Sequence, residues 1–552
     1  LALAGKIECY NFPQGVITHM YRDIAKHNPR TISTVGLGTY VDPRLGGGKV
    51  NAATTKDMVE LITFDGKEYL AYKTMPIHVA FLRGTTADMD GNITMEKEPL
   101  VLEVLPLAMA AKNSGGFVIV QVERIADRHA LNPRQVKIPG ILVDCVVVAR
   151  PENHWQTFGT AYSPAFSGEF KIPSASVEPL PMNERKIIAR RAAFELSPNM
   201  VVNLGIGVPE GLAGVANEEG IFNYLTLTAE AGTIGGIPAG GIDFGMATNM
   251  DCLISMHQQF DFYDGGGLDL ACLGMAQMDA QGNVNVSRFG TKLAGCGGFI
   301  DISQNAKKII FAGTFTSGGL QIAVQDGKLR IIKEGAAKKI IRDVEQITFS
   351  GKTAGRGSQQ IYYITERCVF QLTPEGVELI EIAPGMDLEK DILAQMDFRP
   401  IIKNPRLMDE RIFKPVPMGL KDDLLSIPID ERLSYDSATN IFYVNFEGLA
   451  IKTQNDIDAI RERVSQICAP LGRRVKTIVN YDNFSILPEL EDEYIRMVQF
   501  VVSEYYSDVT RYTTSAFLRM KLGDGLKKRN LAPHIFQSKE EARLALEDRG
   551  KS

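Results

Sequence analysis

The sequence is short of the residues that announce several common chemistries. There is one tryptophan, Trp155, and seven histidines in 552 residues, and no histidines fall at a metal-ligand spacing, so no metal is expected. The seven cysteines (Cys9, Cys145, Cys252, Cys272, Cys296, Cys368 and Cys468) are odd in number, scattered and without a Cys-x-x-Cys pair. That excludes a disulfide scaffold and fits reduced core thiols in a cytoplasmic protein. Apolar runs never approach the roughly 18 residues of a membrane span, and Leu1-Ala2-Leu3-Ala4 is too short for a signal sequence. With a formal charge of -6 and no long basic block, an extended nucleic-acid surface is not expected either. Two look-alike motifs fail. Gly46-Gly47-Gly48-Lys49 has Pro43 where a phosphate loop needs glycine and lacks a following Ser or Thr, and there is no Gly-x-Ser-x-Gly elbow.

What is present is a globular composition, 45% hydrophobic and 23% charged. The chain is too long for one core, and about three to four domains of ~100–200 residues are expected. Short β-branched runs (116–122, 141–149, 201–204, 224–228, 308–312) alternate with helix-like segments (100–113, 183–195), the mark of α/β layers. An internal repeat points to two related lobes: Gly84-Thr85-Thr86-Ala87-Asp88-Met89-Asp90-Gly91-Asn92 is echoed by Gly274-Met275-Ala276-Gln277-Met278-Asp279-Ala280-Gln281-Gly282-Asn283. Pro151, Pro164, Pro173, Pro179 and Pro181 mark a linker between them. A proline-rich stretch beyond residue 398 then reads as a connector. The expected layout is a first lobe over 1–155, a second over 156–398, a connector over 399–430 and a small domain over 431–552. In the last, strands near 441–446, 475–480, 509–514 and 534–536 alternate with helices near 455–469, 490–506 and 516–526, a pattern that resembles the small STAS-like domains.

The chemistry gathers around Glu230. It ends the apolar run Leu225-Thr226-Leu227-Thr228-Ala229 and precedes Gly232, Gly235, Gly236, Gly240 and Gly241, so a lone carboxylate faces walls of bare backbone. A carboxylate used as a nucleophile needs such a desolvating pocket and N–H donors for the oxyanion that forms. Upstream, Val201-Val202-Asn203-Leu204-Gly205-Ile206-Gly207-Val208-Pro209 runs from a strand into a glycine turn that lets backbone approach a ligand. Pro209 and the late Gly211 break a dinucleotide fingerprint. A third turn, Gly295-Cys296-Gly297-Gly298, follows.

Together with Tyr10-Asn11-Phe12-Pro13, Lys137-Ile138-Pro139-Gly140 and residues from Tyr72 onward, these motifs closely resemble the class I coenzyme A transferases, particularly the acetate and propionate transferases. The resemblance covers residues 1–400 and implies two open α/β lobes. It makes Glu230 the nucleophile that becomes a glutamyl-CoA thioester, and Gly205, Ile206, Gly207, Val208 and Pro209 the CoA-contacting turn. Gly297 belongs to the second glycine loop, with the Gly298 amide in the oxyanion hole. Asn283 or Asn285 resembles the side-chain donor, with Asn283 taken as the site residue, although its echo Asn92 fits a turn asparagine equally well. Family members begin with a glycine-containing β-α segment, and this sequence is expected to enter after it. The implied substrates are an acyl-CoA and short-chain carboxylates, with no cofactor beyond CoA itself and a homo-oligomer, dimer or tetramer. An acyl-CoA hydrolase using the same glutamate and a non-catalytic CoA-responsive protein are the alternatives. The carboxylate must be charged to attack, so backbone donors are expected to offset the effect of burial.

Overall fold

The computed structural model describes residues 1–173, 179–354, 359–425, 429–451, 453–482, 484–513, 526 and 535–548. The chain forms two compact units, Leu1–Met418 and Gly419–Ser552.

In the first unit, helix α1 (Gln14–Ala25) and helix α2 (Val104–Asn113) accompany a parallel sheet ordered Cys145–Val148, Phe117–Val122, Val79–Arg83. Helix α2 starts later than the pattern from residue 100 predicts, because Leu102 takes a left-handed φ of 53° that no helix accommodates. Its carbonyl instead accepts the Met256 amide at 3.0 Å.

The larger sheet has ten strands, with a parallel centre ordered Thr226–Thr228, Val201–Leu204, Leu270–Gly274, Lys308–Ala312, Gln360–Ile364. Helices α3 (Glu184–Ala193), α4 (Gly211–Glu218), α5 (Met256–Asp264) and α6 (Phe299–Asn305) belong to this second half. Asn183 caps α3 by accepting the Lys186 amide, and a reciprocal capping box of Ser255 and Gln258 starts α5. From Val201–Leu204 the next strand lies on one side and the following ones on the other. In open α/β sheets a ligand crevice forms outside the carboxyl ends of the strands at such a reversal.

The repeated motif folds identically in both halves. Asp88 Oδ1 accepts the amides of Asp90 and Asn92 at 2.9 Å, and Asp279 Oδ1 accepts those of Gln281 and Asn283 at 2.9 and 3.0 Å.

The connector expected over 399–430 is corrected by the structure. Ile401–Leu407 is a strand that pairs parallel with Gly376–Ile382 and ends the ten-stranded sheet, so the second half runs past 398. Pro405 is tolerated because an edge strand leaves one row of N–H groups without a ladder partner. Beyond it, the fully buried Arg190 of α3 donates to the carbonyls of Arg411 (3.4 Å), Ile412 (3.3 Å), Lys414 (2.5 Å) and Val416 (2.9 Å) and pairs with Glu218 at 2.9 Å.

The second unit has a four-stranded sheet ordered Leu433–Asp436, Ile441–Asn445, Val475–Asn480, Tyr506–Tyr512, with helices Gln454–Cys468, Glu491–Tyr505 and Lys539–Asp548. The helix expected near 516–526 falls almost wholly outside the described residues.

Candidate active site

Two turns meet at the reversal of strand order. Gly205 follows Val201–Leu204 directly, and its amide donates to Cys272 O on the neighbouring strand at 2.8 Å. Gly207 then takes φ 90° and ψ -117°, a conformation closed to residues with a side chain. Ile206 projects into solvent beside it, and Val208–Glu210 form the short helical turn that leads into α4. A cavity of about 220 Å³ opens here, lined by Gly207, Val208 and Glu210 and, from the segment after Glu230, by Ile237, Pro238 and Gly240. The turn and the segment following the glutamate therefore share one pocket.

Glu230 stands two residues past Thr226–Thr228, which pairs parallel with Val201–Leu204. The residue keeps some exposure, yet protein crowds its carboxylate enough that loss of hydration dominates and raises its pKa. Its own backbone amide and the Asn203 side chain pull the other way and do not cancel the rise. Burial thus outweighs the backbone donors expected to offset it. Close packing fixes the turn behind it: a Cβ on Gly232 would lie 2.0 Å from Ile254 O.

A buried polar cluster adjoins the glutamate. Asn203 Nδ2 donates to Thr228 O at 3.2 Å and to the Tyr263 hydroxyl at 3.3 Å, while that hydroxyl donates to Thr228 Oγ1 at 2.8 Å. Asn203, Thr228 and Tyr263 are all buried. The Tyr263 pKa is raised by burial first, with the negative charge of Glu230 adding to it. Sequence reasoning missed this cluster, although a lone polar residue inside the apolar run Val201-Val202-Asn203-Leu204 was the available signal.

The Gly297–Gly298 turn approaches the same helix from another side. Gly298 is the N-cap of α6, and a Cβ on it would lie 3.0 Å from Phe260 Cζ of α5, the helix that also carries Tyr263. Gly297 takes a left-handed φ of 50°.

Asn283 is corrected. Its Nδ2 donates to Asp279 Oδ2 at 2.9 Å and its Oδ1 accepts the Gly351 amide at 3.0 Å, so one end of the amide is spent on the turn and the other on holding the start of residues 351–354. Asn92 does the same with Asp88 and Gly140 at 2.9 and 3.0 Å. Asn285 is no better placed, since its Nδ2 donates to Gln277 Oε1 and Arg288 O, both at 2.7 Å. Among the described residues no group of three or more His, Cys, Asp or Glu could hold a metal ion, and no helix is long and apolar enough to cross a membrane. A second cavity, about 320 Å³ and lined by Leu37, Thr39, Ile300, Ser303, Thr348 and Phe349 among others, has no charged side chain in its wall.

Known proteins resemble this chain over most of its length. The family model for coenzyme A transferase matches residues 1–149. A caffeate CoA-transferase of Acetobacterium woodii is 52% identical over 427 residues, covering 76% of this chain and 81% of that protein. The acetate CoA-transferase YdiF of Escherichia coli K12 is 48% identical, covering 76% and 79%. The crystal structure of YdiF from E. coli O157:H7, an acyl-CoA transferase in a thioester complex with CoA, superposes with a TM-score of 0.72 at 47% identity, covering 76% and 79%.

Proposed function

The chain belongs to the coenzyme A transferase family and is a CoA-transferase acting on acyl-CoA, and from that premise we propose that it passes CoA from a short-chain acyl-CoA to a carboxylate such as acetate through a thioester on Glu230. The observation that carries this reading is the crowded, upward-shifted carboxylate of Glu230 just past the strand neighbouring the one that leads into the Gly205–Pro209 turn, with the segment after Glu230 and that turn lining one cavity. A desolvated carboxylate is more basic, and therefore a better nucleophile once ionised, than one in water.

In the proposed sequence the Glu230 carboxylate attacks the acyl-CoA carbonyl and expels CoA thiolate, leaving a mixed anhydride. The thiolate attacks the glutamyl carbonyl of that anhydride, the donor carboxylate departs, and glutamyl-CoA remains. An acceptor carboxylate then runs the same steps backward. The Gly298 amide stabilises the oxyanion of each tetrahedral intermediate, and the turn from Gly205 to Pro209 holds the CoA chain. Residues 431–552 are read as a STAS-like association module of a homo-oligomer.

One experiment tests the assignment. Incubation with acetyl-CoA alone should render the enzyme sensitive to hydroxylamine, with the adduct in the peptide containing Glu230, and Glu230→Ala should lose both the adduct and transfer to propionate. Transfer by Glu230→Ala within about tenfold of wild type would overturn the assignment. Consumption of thioester without transfer would reveal hydrolysis instead. An acceptor series running from acetate to caffeate decides the acid, since relatives carry both names.

A further inference from the structure

The Gly295–Gly298 turn is stitched to the start of α1. The Cys296 amide donates to Asn11 Oδ1 at 3.2 Å, Cys296 Sγ donates to Phe12 O at 3.3 Å, and the Gln14 amide donates to Gly297 O at 2.9 Å. The Tyr40 hydroxyl donates to the same Asn11 oxygen at 2.5 Å and so fixes that acceptor. Residues 11–16 belong to the first half of the unit and residues 295–301 to the second. The turn is therefore a joint between the halves as well as a wall of the site.

Asp301 lies at this joint, in the first turn of α6, with a relative exposure of 0%. Neither carboxyl oxygen reaches standard hydrogen-bond geometry with any partner. A Cβ on Gly15 would lie 2.3 Å from Asp301 Oδ1 and 2.7 Å from Phe260 Cδ1, and Phe260 is also the ring against which Gly298 packs. The first turn of α1, the Asp301 carboxyl and the Gly298 backbone are thus seated around one aromatic side chain. The backbone amides that act on the carboxyl are those of Gly15 and Val16, which open α1, and its own. No step of the transfer chemistry uses this carboxyl. A buried carboxylate without an ion-pair partner is costly, whereas the neutral acid tolerates such a place.

We propose that Asp301 is a positioning residue for CoA transfer: as an uncharged acid it seats the start of α1 on the Gly297–Gly298 turn and so keeps the Gly298 amide in place. The proposal rests on the reading of Gly298 as the oxyanion donor. Facing Asp301 are Asp264 of α5, Tyr72 of the strand Lys67–Lys73, Tyr40 and Cys296. Asp264 is itself pushed up to about 7, by burial first and then by Asp261, and Asp261 is engaged by His19 at 3.0 Å and Arg22 at 3.6 Å. None of the facing groups is a cation. Burial, followed by the charge of Asp264, holds the Asp301 carboxyl well above the usual range, which favours the neutral acid at the joint.

The test compares kinetics of the full chain with acetyl-CoA and propionate across pH for wild type, Asp301→Ala and Asp301→Asn. Asp301→Ala should lower kcat by about tenfold or more while the KM for acetyl-CoA changes by less than about twofold, as loss of aim at an oxyanion donor requires. Asp301→Asn, which keeps shape and neutrality, should recover most of that turnover and lack the fall that ionisation of the Asp301 carboxyl causes in the wild type as pH rises. An Asn variant as damaged as the Ala variant, a loss confined to KM, or the same fall with rising pH in the Asn variant would each overturn the proposal. If neither variant folds, infrared spectroscopy of the wild type decides: a carboxylic-acid carbonyl band must be present at the pH of turnover and fade in step with activity as pH rises, and its absence at the pH of turnover overturns the neutral joint. Failure here is separable from failure of the functional reading. Transfer retained by Glu230→Ala sinks the reading of the site, while an inactive Glu230→Ala beside an unimpaired Asp301→Ala sinks the positioning role alone.

Discussion

Asn203 Nδ2 and the Tyr263 hydroxyl stand 3.3 Å apart in the buried cluster that adjoins Glu230. Asn203 also pulls the Glu230 pKa down, against burial, so it is a brake on how basic the glutamate becomes. Replacing it with a second carboxylate reverses the sign. Asn203→Asp should move the acid limb of kcat/KM upward by about one pH unit or more, because two like charges cannot both ionise at that range. A pH profile checks this, and an unmoved limb would show that Asn203 does not govern Glu230.

Glu230 also has a predicted stability signature. Its pKa is raised in the folded protein, so the folded state binds the more protons between the ordinary glutamate pKa and the raised one. Stability contributed by this site therefore falls as pH rises through that window. Glu230→Gln, which carries no charge to desolvate, should melt at a higher temperature than wild type at neutral pH. The two should converge in acid, where both are neutral. Thermal scans across pH test it, and equal Tm values at neutral pH would mean that the carboxylate is not under strain.

At Gly298 the tight neighbours are side-chain atoms, Phe260 Cζ at 3.0 Å and Ile302 Cδ1 at 3.3 Å from an added Cβ. The two methyl groups of valine cannot be absorbed there without displacing the turn. Gly298→Val should therefore lower kcat by roughly 10²–10³, the usual worth of one oxyanion donor, with a smaller change in KM for acyl-CoA. Steady-state kinetics separate the two. A rise in KM alone would make the residue a binding contact.

The compact units divide between Met418 and Gly419. A chain ending at Met418 keeps the ten-stranded sheet, the Arg190 contacts and every candidate site residue. It should retain transfer per folded site while oligomeric state, read by light scattering, changes. A soluble truncation without transfer would place part of the second unit in catalysis.

The legible parts of this site are those made of backbone. A strand running into Gly-x-Gly-x-Pro, and a carboxylate followed by glycines, mark themselves in the sequence, and the structure brings the Gly205–Pro209 turn and the segment after Glu230 to one cavity. Side-chain roles were harder to read. Asn283 and Asn203 are chemically alike, and only the spatial partners tell the turn asparagine from the one beside Glu230. The strand Ile401–Leu407 was hidden by Pro400 and Pro405, since sequence does not disclose that a segment will sit at a sheet edge, where proline does little harm. Leu102 shortened α2 through a backbone angle for which leucine gives no warning.

The cradle around Arg190 bears on how the chain is made. Its guanidinium is fully buried, and of its acceptors only Glu218 has been synthesised by the time the long central strands are complete. The carbonyls of residues 411–416 arrive almost two hundred residues after Glu218. Until they emerge from the ribosome, closing α3 onto the sheet would bury a cation with most of its donors empty, which is strongly unfavourable. The first unit is thus latched only when the last residues before Met418 are in place, so a stall or cleavage just upstream of Arg411 leaves a product that holds the whole ten-stranded sheet yet lacks its latch.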